Sequence, residues 1–344
     1  MRASVIIPFK DDGYLIEETI RRLMVDQRPE DIEIIIVDDG SYFPPPASLK
    51  EYRNVRTVST HTNRGVGYAF DYGVTKANNE ILLLMGSDVR VEERKWLKQA
   101  VTLSYEHPKS IISSACKGLN EERHMYLDDR VIRYGADLLF KVPDKDLPKG
   151  YESDILSAKW MPGKLHDKPY EIPCILGACY VTNKDWYDKI GGWGWYRRFT
   201  EGWYMGVTRE NKKWASHRYW GGLEPQISLK TWFAGGSCMI DPDWVTGHMF
   251  GRQEHVRGVR AVRQDMYYFN KMFMAHTLFP REQTKKFINH LYTTTKPLNI
   301  NKARDYLKNN SEVIKDEHSW FFNIRRHGIE VFEDKFNYDL SWLK

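Results

Sequence analysis

Residues 32–41 read IEIIIVDDGS. An apolar, β-branched run interrupted only by Glu33 is the pattern of a buried strand, and Asp38-Asp39-Gly40-Ser41 closes it with turn formers. Upstream, Ser4-Val-Ile-Ile-Pro8 is a second such run, stopped by proline, and the stretch Leu15 to Met24 between the two is amphipathic. Strand, helix and strand at this spacing predict a βαβ unit with a parallel pair. Downstream, Pro44-Pro45-Pro46 breaks the chain before a short helix, Val55 to Ser59 reads as a third strand and Gly65 to Ala77 as a helix. Ile81-Leu-Leu-Leu-Met85 is a further buried strand, and its end delivers Gly86-Ser87-Asp88. Ligands of open α/β sheets bind outside the carboxyl ends of the strands, which is where Asp38, Asp39 and Asp88 all fall.

Composition bounds the rest. The chain has 344 residues, 42% hydrophobic and 14% aromatic, which predicts a folded protein with a sizeable core. No run of eighteen apolar residues and no signal-peptide pattern occur, so a cytoplasmic protein is expected, in the host cytoplasm if the source is viral, with no membrane partner. The four cysteines, Cys116, Cys174, Cys179 and Cys238, lack zinc-type CxxC spacing and are expected to be reduced thiols. Residues 256–344 carry 16 Lys/Arg against 10 Asp/Glu, a net +6 that leaves −1 for the remainder of the +5 chain. Such a region is either a solvated helical surface or a face for a polyanion, where each cation set on a phosphate adds salt-sensitive affinity.

Residues 116–219 are less regular, with a dense aromatic patch from Trp193 to Trp220. The stretch 220–252 reads WGGLEPQISLKTWFAGGSCMIDPDWVTGHMFGR, placing two Gly-Gly pairs, Glu224 and His248 close together. Gln226 to Phe233 is expected as a helix, Cys238 to Ile240 as a short strand, and Arg263 to Phe279, Asn301 to Lys308 and Ser311 to Ile324 as further helices.

SVIIPFKDDGYLIEETIRRL, IEIIIVDDGS and TNRGVGYAFDYG together resemble the nucleotide-binding half of family 2 glycosyltransferases of the GT-A fold. WGGLE at 220–224, WFAGG at 232–236 and TGHMFGR at 246–252 resemble, in order and spacing, the WGGEN, WQCGG and VGHxFR segments of the polypeptide N-acetylgalactosaminyltransferases. The likeness covers roughly residues 3–280 and does not extend to the lectin-like domain of the animal enzymes. It implies an α/β fold of the Rossmann-like nucleotide-diphospho-sugar type with a helical C-terminal extension. Residues 1–115 would bind the nucleotide-sugar, 116–255 would form the acceptor-side half with the catalytic and metal loops, and 256–344 would be the basic helical extension.

The resemblance also implies a UDP-sugar donor and a divalent cation, manganese or magnesium. Pro8, Phe9, Lys10, Asp11, Asp38, Asp39, Asn63, Arg64, Gly86 and Ser87 would edge the donor pocket, with Arg252 and His255 on a loop closing over the diphosphate. The family's metal motif is DxD or DxH; here Gly86-Ser87-Asp88 lacks the first ligand, leaving Asp88 with His248 as the metal pair. Glu224 falls where inverting family 2 enzymes carry their base, so it is expected to deprotonate the acceptor hydroxyl and the reaction to invert; the alternative is a helix cap. Trp220, Gly221 and Gly222 would lie on the acceptor side, the paired glycines bringing backbone close to the sugar; Trp220 and Trp232 either stack on sugar or pack. A hydroxymethylated pyrimidine in DNA is the expected acceptor, with Arg257, Arg260, Arg263, Lys285, Lys286, Arg325 and Arg326 as phosphate contacts. Peptide Ser/Thr or a glycan is the alternative acceptor, and an inactive nucleotide-sugar or nucleic-acid binding module the alternative function.

Overall fold

The computed structural model describes residues 2–91, 95–119, 132–140, 155–161, 163–177, 179–194, 222–249, 264–294 and 297–344. Its first half alternates strands β1 (Ala3–Phe9), β2 (Ile32–Asp38), β3 (Val55–Ser59), β4 (Ile81–Met85), β5 (Val89–Val91) and β6 (Ser110–Gly118) with helices α1 (Tyr14–Leu23), α2 (Val66–Thr75) and α3 (Trp96–Glu106). Short strands β7 (Ile132–Arg133), β8 (Ala136–Leu139), β9 (Ser157–Trp160) and β10 (Tyr170–Glu171) follow, then β11 (Cys179–Asn183), α4 (Lys184–Lys189), α5 (Leu223–Phe233) and β12 (Ser237–His248). Helices α6 (Gln264–Leu278), α7 (Arg281–Thr294), α8 (Pro297–Asn309), α9 (Ser311–Ile324) and α10 (Glu330–Phe336) complete the chain.

The main sheet has the order β3-β2-β1-β4-β11-β6-β12-β10. Strands β1 to β4 are parallel, β11 runs antiparallel between β4 and β6, and β12 is parallel to β6. The antiparallel β11 restores the direction on its far side, so β4, β6 and β12 all point their carboxyl ends at one edge. Alternation along β4 sends Leu82 and Leu84 into one core and Ile81, Leu83 and Met85 into the other. Both faces are therefore covered, which is why the strand runs contain almost no polar residue. Gly73 on α2 packs directly on Ile6 and Val37, and a Cβ there would collide with both.

The boundary at residue 115 falls inside β6, so the first two expected segments build one continuous sheet. The C-terminal helices are no appendage: Phe321, Phe332, Leu340 and Leu343 share one buried cluster with the sheet residues Ile6, Leu84 and Ile240. The short strand expected at Cys238 to Ile240 is the start of a twelve-residue strand. Asp241-Pro242-Asp243 interrupts the apolar pattern, and a register shift between Asp241 and Val245 absorbs it. The four cysteines are buried and free, and burial pushes the Cys116 and Cys238 thiols up to about 12.

The second glycine pair, Gly235-Gly236, lies at the amino end of β12, beside Lys109 before β6. Gly235 has φ +85°, and a Cβ at Gly236 would strike the Lys109 carbonyl and the Trp186 ring. This pair serves a tight helix-to-strand turn at the opposite edge from the strand carboxyl ends, not approach to a sugar. Trp232 packs: it is 1% exposed, donates Nε1–H to the Pro173 carbonyl at 3.0 Å and meets Phe336 edge-on.

Helix α5 is tied to α9 by a buried ion pair, Lys230 Nζ to Glu317 Oε1 at 3.3 Å, with side chains 1% and 2% exposed. Lys230 also donates to the Gly192 carbonyl at 3.2 Å. Removing one member strands the other charge in the core. Lys230→Met is expected to destabilise by about 3–5 kcal/mol, and Lys230→Met with Glu317→Leu to recover most of that loss in urea denaturation.

Candidate active site

The loops after β1 and β2 are laced together at the carboxyl edge. Asp11, at φ 52°, accepts from the Tyr42 and Phe43 amides at 2.7 and 3.0 Å, and its own amide donates to Ser41 Oγ. Lys10 Nζ donates to the Gly40 carbonyl at 2.9 Å and lies 5.1 Å from the Tyr42 ring centre. Asp38 accepts from the Ser41 amide at 2.9 Å, closing the turn. Pro8 sits on this edge, paired with Val37.

Asp39 was expected to meet the donor; it is 2% exposed and committed inside the protein. One oxygen accepts from the Arg64 amide at 2.7 Å and Thr60 Oγ1 at 2.9 Å, the other from the Gly65 amide at 2.8 Å. Asn63 Nδ2 donates to the Asp39 carbonyl at 3.2 Å. Asp39 therefore shapes the loop that carries Asn63 and Arg64 at the start of α2. Phe9 is corrected likewise: its ring is 1% exposed and belongs to the core, and only its carbonyl, accepting from the Asp39 amide, reaches the loop. Ser87 is buried, its hydroxyl on Asp12 and its carbonyl accepting from Thr19 Oγ1 at 2.5 Å. That hydroxyl also donates to the Val89 carbonyl at 3.2 Å, so one threonine of α1 holds the turn around Asp88.

Asp88 and His248, 160 positions apart in sequence, meet at 3.6 Å between Oδ2 and Nε2. The sheet register causes this. β5 folds back antiparallel on β12 with Val89 opposite His248, while β6 sets Gly118 against His248 from the other side. The two side chains are 18% and 26% exposed, accessible without being free in solvent. Gly86 makes room: a Cβ there would stand 2.8 Å from Asp88 Oδ1, so a larger residue would require that carboxylate to turn. Among the described residues no group of three or more His, Cys, Asp or Glu side chains converges as a metal cage. The pair offers one oxygen and one nitrogen donor. Their separation is near the ~3 Å between adjacent ligand atoms around an octahedral divalent cation, so the residues fit such an ion with the other positions left to substrate and water.

Glu224 lies in the first turn of α5, behind Gly222 at φ +85°. The helix begins three residues earlier than the periodicity predicts, and Glu224 is part of it rather than the cap ahead of it. Its Oε1 accepts from the Tyr180 hydroxyl at 3.4 Å, and that hydroxyl also donates to the Gly177 carbonyl at 2.8 Å. Gly177 precedes β11, which starts at the edge where β4 and β6 end, so Glu224 is tied to the same rim of the sheet as Asp88 and His248. Burial raises the Glu224 pKa above the usual carboxylate range, opposed by hydrogen bonds from its own backbone amide and from the Tyr180 hydroxyl. Tyr180 escaped sequence reading because CYVTN shows only strand alternation. The exposed rings of Tyr42 and Phe43 were also missed, although an aromatic pair directly after DDGS was a visible signal.

Trp220, Gly221, Arg252, His255, Arg257, Arg260 and Arg263 lie outside the described residues. Of the other expected phosphate contacts, Arg325 is corrected. Its guanidinium lies 4.8 Å from the Phe233 and Phe322 ring centres and donates to the His327 and Leu278 carbonyls, and burial lowers its pKa. Lys285 pairs with Glu282 at 2.7 Å, Lys286 donates to the Lys344 carbonyl at 2.8 Å, and Arg326 is exposed beside Gly235.

With this geometry in view, the chain can be placed. The model of glycosyl transferase family 2 matches residues 4–191, more than half of the sequence, and the chain belongs to that family. It is 22% identical over 267 residues to polypeptide N-acetylgalactosaminyltransferase 11 of Xenopus tropicalis, an alignment covering 73% of this chain and 38% of that protein. The chain thus spans about two fifths of the length of that curated relative. Among solved structures, GalNAc-T7 with UDP, GalNAc and Mn2+ superposes with a TM-score of 0.67 at 15% identity, covering 99% of this chain and 58% of that one. S. aureus TarS 1-349 in complex with UDP-GlcNAc superposes with a TM-score of 0.51 at 14% identity, covering 94% and 89%. The fold is GT-A. No helix among the described residues is long and apolar enough to cross a membrane.

A carboxyl whose folded-state pKa is raised favours folding at acid pH, and that contribution is lost as pH rises through the folded value. Titration of Glu224 by carboxyl 13C NMR is expected to give a midpoint above 4.5. Tyr180→Phe, which deletes one opposing hydrogen bond, is expected to move it higher still; a downward move would refute the assignment of the hydroxyl as donor.

Proposed function

We propose that the chain transfers a sugar from a UDP-sugar to an acceptor hydroxyl with inversion, Glu224 acting as general base and Asp88 with His248 holding a divalent cation, Mn2+ or Mg2+. The observation that carries this reading is the 3.6 Å approach of Asp88 to His248 at the strand carboxyl edge of a family 2 chain. Relatives with UDP, UDP-GlcNAc or Mn2+ in their structures support the donor class. When bound, the cation offsets charge developing on the leaving diphosphate. The chain's own residues do the rest. Lys10, Asp11, Asp38, Asn63 and Arg64, held by Asp39, edge the nucleoside pocket, with Pro8, Gly86 and Ser87 shaping its floor. Glu224 takes the acceptor proton, and the raised pKa given by burial brings this base closer to neutral pH than an ordinary carboxylate. Gly222 borders the acceptor side, and Arg252 and His255 would close over the diphosphate.

For the acceptor we propose a hydroxymethylated pyrimidine in DNA, supported by the net +6 of residues 256–344. With Arg325 and Lys286 engaged within the protein, the phosphate contacts fall to Arg257, Arg260, Arg263, Lys285 and Arg326. The base would leave the duplex stack to reach the site. A polypeptide hydroxyl is the second reading, favoured by the polypeptide transferase relatives. UDP release from UDP-sugars with hydroxymethylated DNA, unmodified DNA or a Ser/Thr peptide separates the two. Stimulation by the modified DNA alone, weakening as salt rises, is expected; no release with any acceptor would leave a binding module.

Glu224→Gln is expected to lower kcat by about 10²-fold or more, as loss of a general base does, and NMR of the product should show the inverted anomer. Asp88→Ala and His248→Ala should each weaken Mn2+ binding measured by EPR, independently of turnover. Unchanged Mn2+ affinity in both would remove the metal assignment.

A further inference from the structure

The C-terminal helices enclose a cavity of about 460 Å³, within the size range of small-molecule sites. It is separate from the strand carboxyl edge. Its wall residue Phe279 packs on Phe233, the last residue of α5, with ring centres 5.4 Å apart. Glu224 sits at the other end of that helix, about 14 Å away at 1.5 Å per residue.

The charge of the lining is one-sided. Arg281 and Lys285 from α7 and Lys315 from α9 supply positive charge, His276 and His318 line the cavity beside them, and among the described residues no carboxylate lines it. Arg281 opens the fourteen-residue helix α7, so the positive end of its dipole lies in the same wall. Glu282 pairs with Lys285 at 2.7 Å, but that pair is exposed and weak, and Arg281 and Lys315 also line the cavity. His318 Nδ1 lies 2.9 Å from the His276 carbonyl, and burial with the nearby His318 holds the His276 pKa below its ordinary value. Phe279, Ile288 and Ile314 add apolar surface to the lining.

We propose that this cavity binds a soluble phosphomonoester carried on an apolar or planar group. Arg281, Lys315 and the start of α7 receive the phosphate, and the apolar surface receives the carrier. This site is independent of the donor reading and stands whether or not the chain transfers sugar. The test is calorimetric titration of the full chain with phenyl phosphate. Wild type and a distant control, Lys98→Glu on α3, should bind alike, and inorganic phosphate should bind more weakly than phenyl phosphate. Arg281→Glu and Lys315→Glu, singly and together, should weaken binding, the double variant by at least about tenfold, as loss of two charge-assisted contacts implies. Denaturation midpoints check that these surface variants stay folded. Absent binding, equal affinity in the charge-reversed variants, or retention only on phosphatidylcholine vesicles containing phosphatidic acid would overturn the proposal.

Discussion

The parallel pairing of β12 with β6, with β5 folded back onto β12, is the constraint on which the candidate site depends. With His248 standing between Gly118 and Val89, the register brings the turn before β5 close to the imidazole, and Asp88 in that turn reaches it. Thr19 secures the same turn from α1 by bonding two carbonyls of it. The backbone, the stiffest part of the protein, thus places the two half-buried side chains near each other. A one-residue slip of β12 would turn His248 to the opposite face of the sheet and dissolve the site.

Helix α5 links that edge to the rest of the molecule. Glu224 occupies its first turn, Lys230 anchors its middle to α9 through a buried charge, and Phe233 joins its end to the aromatic cluster around Phe279 and Phe332. Because the C-terminal helices share this core with the sheet, the position of Glu224 rests on residues about a hundred positions downstream. Glu224 is at once buried enough to have a raised pKa and bonded by its own backbone amide and the Tyr180 hydroxyl, so its charge state is set by its surroundings.

Much of the frame was legible. β1, β2 and β4 lie where their apolar runs and stop signals put them, because a strand buried on both faces leaves its mark in consecutive residues, and the edge strand β3 lies where its alternation put it. Asp88 and His248 were legible as a pair through motif order. Harder to read were the roles of residues with the right chemistry but other partners. Asp39 looks like a ligand contact and pins a loop, Phe9 is core, Arg325 lies between two rings, and Gly235-Gly236 serves a turn at the far edge. Composition cannot tell these uses apart, since each depends on what arrives from elsewhere in the chain.

What the amino-acid sequence determined by itself is the order of the first four strands and the helices between them, the presence of carboxylates at strand ends and the family to which the chain belongs. All of these follow from neighbours in the chain, through hydrophobic period and local turn chemistry. Only the tertiary structure decided that Tyr180 holds Glu224, that Lys230 needs Glu317, that the C-terminal helices join the sheet's core, and that a cationic cavity lies between α6, α7 and α9. Each of those arises from residues brought together across long stretches of chain. Strand register and helix packing set such meetings, and no local pattern encodes them.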